Sequence, residues 1–569
     1  MTDGDQGKTP ARRNAAHLTR RRFRSRGHGE AGVAPLGTHR FGSAEAIRAL
    51  FAAYLPHALV AALAVLLGVP TLIMPLHPDQ ALFALIGEAV GEGRFPYVDA
   101  WDVKTPGVFF IYAVAVRGPW DLTQNVRVFD LAWTATAAAV VVELGRRWWS
   151  LRAGVIAGML YALVIETGQP WVQSAQPDSL LALPLLLALL VVDGAWEKRT
   201  RLLGAGLLFG FACQLRAPVV LLVPLVPLIG LGVAPAGERQ RAWLWRLAWL
   251  GAGVLAAQAL LVAYLLAGGA LGEFWQTLRY GAWYTRQGGP WNGANGPTLG
   301  GFFTAVRLGF WYWSNTRIVL TGPALAGGVL GALVLRERRV SWLLLLTAAA
   351  CVGVVVQVKL FWYQFGPLVP LLALLSGWTW DSLLSAAVRA RGRVAAYAGG
   401  GALAAAVLFG STEVWDNGRR DWLNSVAYLR HPEEREALRN EYAAYPARER
   451  VAAYLAAQTT PGERIYVWGF DPHLYLLSGR ASASRFLVSF PLMSDWAPAG
   501  WRASFLAELE AQPPRYIVVQ RGHAGSWVVG RDLDLADAAA EFVEFQHLLA
   551  AGYDLEREID GRVLYRRRD

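Results

Sequence analysis

Residues 55–75 read LPHALVAALAVLLGVPTLIMP, an apolar run without a single Asp, Glu, Lys or Arg. As a helix, a run of that length matches the hydrocarbon core of a bilayer, about 30 Å thick. Only helices or closed barrels satisfy their backbone there, and the run is continuous rather than alternating, so a helix is expected. Similar blocks recur at about 127–145, 152–168, 178–196, 202–216, 217–234, 245–268, 317–335, 340–357, 364–384 and 394–411. Overall, 54% of the 569 residues are hydrophobic and 17% charged, against about 25% charged in ordinary soluble chains. The sequence therefore predicts an all-α polytopic membrane protein.

The breaks between blocks carry the topology. With the N-terminus in the cytoplasm, the inner breaks hold Arg146-Arg147, Glu197-Lys198-Arg199-Thr200-Arg201, Glu238-Arg239-Gln240-Arg241, Arg336-Glu337-Arg338-Arg339 and Arg389-Ala390-Arg391-Gly392-Arg393. All are basic, while the opposite breaks are richer in Trp, Tyr, Gly and Pro, which supports about eleven spans. The pair 202–216 and 217–234 could instead form one broken helix, which would move the C-terminus inside. The net charge of +11 is then a topology signal, and no nucleic-acid-binding motif accompanies it. Cys213 and Cys351 both lie inside apolar blocks and read as core thiols.

Residues 1–45 are polar and basic, with Arg20-Arg21-Arg22-Phe23-Arg24-Ser25-Arg26, and read as a disordered cytoplasmic tail. Residues 46–411 form the membrane domain. From 412 to 569 the charge rises and the apolar blocks end. There Arg464–Trp468 and Tyr516–Gln520 read as strands, and Asp560-Gly561 as a hairpin turn. A small α/β domain is expected, on the extracytoplasmic side. Asp471-Pro472-His473 reads as a loop without the second ligand cluster a metal site needs.

Two long loops fall on the outer side, at about 77–126 and 269–316. The second is crowded with Trp275, Tyr280, Trp283, Tyr284, Trp291, Trp311, Tyr312 and Trp313, which suit either a functional surface or an interfacial belt. In the first, Pro78 and Asp79 suit the opening turn of a helix, Leu82, Phe83, Leu85, Ile86, Ala89 and Val90 give it an apolar face, and Gly91 and Gly93 end it. Such a helix is expected on the membrane surface, with the Asp79 carboxylate where a lipid and a polar reactant could meet. A helix cap is the plainer role for the same residue.

The order of elements from about 55 to 380 resembles the GT-C glycosyltransferases, in particular the family 39-type branch of protein O-mannosyltransferases and lipid A aminoarabinose transferases. The stretches that carry the resemblance are Asp79-Gln80, Gly93-Arg94-Phe95-Pro96-Tyr97, Lys104-Thr105-Pro106, Arg127, Gln176-Pro177-Asp178 and Tyr363-Gln364-Phe365-Gly366-Pro367. Three positions depart from the branch pattern: Gln80 stands for a Glu, Thr105 for a Pro and Gln364 for a His. They leave a divalent metal open, with no cofactor fixed.

The resemblance implies a polyprenyl-phosphate-linked sugar as donor and a lipid, glycan or protein hydroxyl as acceptor. Asp79 would be the general base of an inverting transfer. Lys104, Arg127, Arg216, Lys359 and Tyr363 would bind the donor phosphate, and Tyr97, Asp178 and Gln364 the substrates. It also implies a bacterial inner (cytoplasmic) membrane. A transporter or lipid flippase, or a non-catalytic scaffold, would be the competing readings. The sequence shows no internal repeat of the kind transporters carry, and a scaffold leaves the first loop without a purpose.

Overall fold

In this computed structural model, the structure describes residues 44–233, 235–289, 298–392 and 412–569, with isolated residues between 398 and 405. The tail at 1–43 and the span expected at 394–411 lie outside the described residues. Leu55–Asp569 form one compact unit.

Among the described residues, five helices are long and apolar enough to cross a membrane: Phe51–Ile73, Leu122–Trp148, Arg239–Ala267, Arg338–Val355 and Leu368–Arg389. A sixth span is possible as a bent pair, Leu299–Thr316 and Ile318–Leu333, meeting at 104°. Arg317 sits at that corner, fully buried, and donates to Gly168 O at 2.9 Å and Thr316 Oγ1 at 2.7 Å. The helices Leu151–Thr167 and Arg199–Leu215, 17 residues each, match expected blocks. The block expected at 217–234 is not a regular α-helix. Its proline-rich sequence forms 3₁₀ turns at Ala217–Leu222 and Val226–Val233, because Pro218, Pro224 and Pro227 cannot donate to an α-helical ladder. The structure thus supports a multi-pass helical membrane protein without fixing the count at eleven.

The helices Arg199–Leu215 and Arg239–Ala267 cross in close contact. A Cβ on Gly206 would lie 2.1 Å from Leu250 O, and one on Gly253 would lie 2.2 Å from Leu203 O. Small residues let the two backbones touch, as packing within lipid favours.

Two helices occupy the first long loop. Pro78–Gly91 was expected; Gly107–Ala115 was not. The apolar face of Pro78–Gly91 is turned to protein: Ala81, Leu82, Phe83, Ala84 and Ile86 are all buried. Its apolar face packs on Gly107–Ala115, where Phe83 meets Tyr112 edge-on at 5.6 Å.

Residues after 412 open with helical segments and continue into an α/β domain. Its strands are β1 (Ile465–Trp468), β2 (Tyr516–Gln520), β3 (His523–Ala524), β4 (Leu533–Asp534), β5 (Tyr553–Ile559) and β6 (Arg562–Arg567). The main sheet has the order β1-β2-β6-β5, with β1 parallel to β2 and the remaining pairs antiparallel. Every residue of β1 is buried, as its unbroken apolar sequence requires. Asp560 and Gly561 both take positive φ, 47° and 74°, and form the expected hairpin turn between β5 and β6.

This domain docks on the two long loops. Trp101 N donates to Arg485 O at 2.8 Å, and Tyr280 Oη lies 3.0 Å from Ser494 Oγ. Arg485 Nη1 reaches Glu273 at 3.3 Å.

The Gly206 crossing predicts that Gly206→Val will force the two helices apart. Thermal unfolding of the purified protein should show a loss of about 1–3 kcal/mol. An unchanged melting temperature would contradict the crossing.

Candidate active site

The chain between the first span and the helix Pro78–Gly91 is not helical, so its carbonyls need donors from elsewhere. Arg127 supplies two. Its Nη2 donates to Pro75 O at 2.6 Å and its Nε to Met74 O at 3.4 Å, while Nη1 meets Ser174 Oγ. Trp171 Nε1 also donates to Pro75 O, at 3.0 Å. His473, from the C-terminal domain, donates through Nε2 to Leu76 O at 2.8 Å.

The helix then starts with a reciprocal cap. His77 N donates to Gln80 Oε1 at 2.9 Å, and Asp79 N donates to His77 Nδ1 at 3.3 Å. Burial, followed by the charges of His473, Arg127 and Lys104, lowers the pKa of His77 despite the nearby Asp79. The imidazole is therefore neutral, with Nδ1 free to accept. Gln80 is completely buried, and its amide donates to Ser174 O at 2.6 Å and Trp171 O at 3.2 Å. A glutamate could make neither bond, which gives this departure from the family pattern a physical reason.

With the helix start fixed, Asp79 faces a cavity of about 310 Å³. His77, Asp102 and Lys104 line it beside Asp79. Its walls are otherwise mostly aromatic: Trp101, Tyr280 and Tyr284 from the two long loops, and Phe361, Trp362 and Tyr363 from the turn before a late span. The C-terminal domain closes it with Phe470, Phe490 and Trp527. Asp102 is 4% exposed, with one carboxylate oxygen unpartnered. Burial raises its pKa, against Lys104 and two backbone hydrogen bonds that lower it.

Apart from Lys359, the residues singled out by sequence fall into three groups. Asp79, Lys104 and Tyr363 line the cavity together. Arg216 and Asp178 sit behind Tyr363 as an ion pair, with Arg216 Nε 2.7 Å from Asp178 Oδ2 and the guanidinium 5.8 Å from the Tyr363 ring centre. Pairing answers the cost of a deeply placed Arg. Tyr97, Arg127 and Gln364 do not line the cavity. Tyr97 is fully buried, and its hydroxyl donates to the backbone carbonyl of Lys104 at 2.8 Å. Gln364 Oε1 accepts from Phe361 N at 3.0 Å and so shapes the aromatic turn.

Lys359 is 2% exposed and acts at the rim. Its Nζ lies 3.8 Å from the Tyr284 ring centre and donates to Trp527 O, joining the membrane part to the C-terminal domain. Val358 and Leu360 on either side of it both take positive φ, 63° and 53°. Tyr97, Gln169 and Ala175 do the same in the neighbouring loops, at 74°, 73° and 51°. Such conformations cost energy and gather where a site over-determines the backbone.

The cavity carboxylates are Asp79 and Asp102, next to a lysine, and among the described residues no group of three His, Cys, Asp or Glu side chains is arranged to hold a metal ion. A larger polar groove of about 1050 Å³ lies behind the same wall, lined by Leu76, Ala100, His473 and Leu487. Their neighbours His77, Trp101 and Val488 line the smaller cavity.

The profile of the family described as dolichyl-phosphate-mannose-protein mannosyltransferase matches residues 103–264. The fold of the whole chain is similar to ArnT from Cupriavidus metallidurans bound to undecaprenyl phosphate. The TM-score is 0.54 at 15% identity, over 92% of this chain and 98% of that one. The apo form of the same protein gives 0.55 over the same shares, also at 15% identity. Over residues 103–264 this chain is similar to that mannosyltransferase family, and its fold is similar to that of ArnT. The oligosaccharyltransferase of Archaeoglobus fulgidus tethered to an acceptor peptide aligns at a TM-score of 0.49 and 13% identity, over 92% of this chain and 75% of that one. None of the curated proteins matches the sequence.

Sequence reading of the site missed three contributors: the C-terminal aromatics, Trp101, and His77 as the cap. His77 had a visible signal, since it directly precedes Pro78-Asp79. The C-terminal aromatics had none, because contacts across hundreds of residues leave no local pattern.

Two outcomes follow. Gln80→Glu restores the branch's acidic pair yet leaves two buried carbonyls without donors, so it should cost about 1–3 kcal/mol in thermal unfolding. For Lys359, burial lowers the pKa to about 7. The folded protein therefore releases this proton at lower pH than the unfolded chain, and stability rises with pH between the two values. Relative to Lys359→Met, the wild type should gain on the order of 2 kcal/mol between pH 6 and pH 9. Parallel pH profiles of the two melting temperatures would contradict a buried, desolvated ammonium.

Proposed function

We propose that this enzyme moves a sugar from a polyprenyl-phosphate donor to an acceptor hydroxyl, with inversion, using Asp79 as general base. One observation carries the reading: a carboxylate and a cation, Asp79 and Lys104, share with Asp102 and His77 a cavity whose other walls are mostly aromatic rings and valines. At about 310 Å³ the cavity has the size of a small-molecule site. Aromatic faces suit the C–H faces of a sugar ring, and the few polar groups would orient it. The undecaprenyl phosphate bound to the similar Cupriavidus protein supports a lipid phosphate as the donor's carrier.

In this account Asp79 accepts the proton of the acceptor hydroxyl. The oxygen attacks the anomeric carbon from the face opposite the phosphate, and the bond to the phosphate oxygen breaks. Charge grows on the leaving lipid phosphate, and Lys104 lines the cavity where it can receive it. Arg216 acts behind Tyr363, where its pairing with Asp178 leaves it close to neutral overall. The basic breaks support an outer-face position for the cavity and the C-terminal domain, and the family likeness supports a bacterial inner membrane. The acceptor is a lipid, glycan or protein hydroxyl.

Membranes carrying the wild type or Asp79→Asn at matched expression, given a panel of polyprenyl-phosphate sugars, test this reading. The wild type should consume a donor, and the variant should be slower by about 10²–10⁴-fold. Equal consumption would reduce Asp79 to a helix cap. If the wild type consumed no donor, transport would displace transfer as the better reading.

A further inference from the structure

His473 lies in the C-terminal domain, 397 residues from the carbonyl it binds. It opens the short helix His473–Ser478 and is 2% exposed. Its Nε2 donates to Leu76 O at 2.8 Å, and Leu76 directly precedes His77, the cap of the helix that carries Asp79.

The imidazole is held from behind. Its Nδ1 lies 3.6 Å from Asp471 Oδ1. Asp471 is fully buried and bound by two arginines: Arg448 Nε at 2.5 Å and Arg562 Nη2 at 2.7 Å. Arg448 belongs to the helix Tyr445–Gln458 and Arg562 to β6. Tyr445 packs edge-on against the imidazole, with ring centres 5.5 Å apart. Three parts of the C-terminal domain thus fix one N–H donor.

Burial alone would raise the pKa of Asp471, but the neighbouring His473 and the charges of Arg448 and Arg562 hold it well below the usual carboxylate range, so it stays a carboxylate behind the imidazole. The other clamps on this segment, Arg127 and Trp171, come from the membrane part. His473 is the clamp supplied by the C-terminal domain.

We infer that His473 is a positioning residue: through the Leu76 carbonyl it sets the start of the Pro78–Gly91 helix, and so the placement of Asp79 against the reacting hydroxyl. This rests on Asp79 being the base. It gives the C-terminal domain a direct part in the chemistry, besides closing the cavity. A base displaced by a fraction of an ångström to an ångström costs rate more than binding.

The test uses full-length protein in lipid nanodiscs, with steady-state transfer from a polyprenyl-phosphate sugar. It compares His473→Leu, which fills the space without a donor, with His473→Gln, whose amide nitrogen reaches the Nε2 position, and His473→Asn, whose amide nitrogen falls short of it. His473→Leu and His473→Asn should lose about 10- to 100-fold in kcat, with donor KM changed less than about threefold. His473→Gln should stay within about threefold of wild type in kcat. Hydrogen exchange at the amides of residues 79–81 should quicken in the Leu and Asn variants and not in Gln.

If all three variants keep wild-type kcat while Asp79→Asn is inactive, the positioning role is wrong and the base assignment stands. The role is also wrong if all three fall alike, since reach would then not matter. If Asp79→Asn is itself active, the base assignment fails first. Should His473→Leu not fold, the Gln and Asn comparison decides.

Discussion

Three consecutive carbonyls, those of Met74, Pro75 and Leu76, set the terms for the rest of this protein. They belong to the segment between the first span and the base-bearing helix, where the backbone is neither helix nor strand and is buried. Such groups must be bonded inside the protein. Arg127 and Trp171 bond two of them from the membrane helices, and His473 bonds the third from the C-terminal domain. Those donors have to be in place before His77 can cap the helix and Asp79 can face the cavity. Arg127, which by sequence suits a phosphate, is consumed by this task.

The same economy governs the other charges. Arg216 is spent on Asp178, and Lys359 on Trp527 O and the ring of Tyr284. Lys104 remains at the cavity itself, its backbone carbonyl held by Tyr97. Apolar walls strengthen the interaction of a cation with a nearby anion. The C-terminal domain adds to those walls, with Phe470, Phe490 and Trp527 as the roof. The membrane half alone would leave the site open.

Much of the local structure was legible in the sequence. Hydropathy located the long helices, Pro78-Asp79 marked a helix start, and Asp560-Gly561 marked a hairpin. Each signal is a short-range preference that the structure had no reason to override. Where prolines recur, at 218, 224 and 227, the apolar block looked like a span and folded as 3₁₀ turns, because hydropathy does not register a missing donor. The helix Pro78–Gly91 has an amphipathic pattern, but its apolar face went to protein rather than lipid, a choice that periodicity does not encode. Of the candidate site, Asp79, Lys104 and Tyr363 were legible as a group. The roof and the His473 clamp were not, since they join residues hundreds of positions apart.

The central claim is that donor chemistry takes place in the small aromatic cavity under the C-terminal domain. A cryo-electron microscopy structure with a non-hydrolysable polyprenyl-phosphate-sugar analogue tests it most directly. The account predicts the phosphate against Lys104, with the sugar between Asp79 and the rings of Tyr284 and Tyr363. Density for the sugar in the larger groove beside Leu76 and Leu487, with the smaller cavity empty, would contradict it.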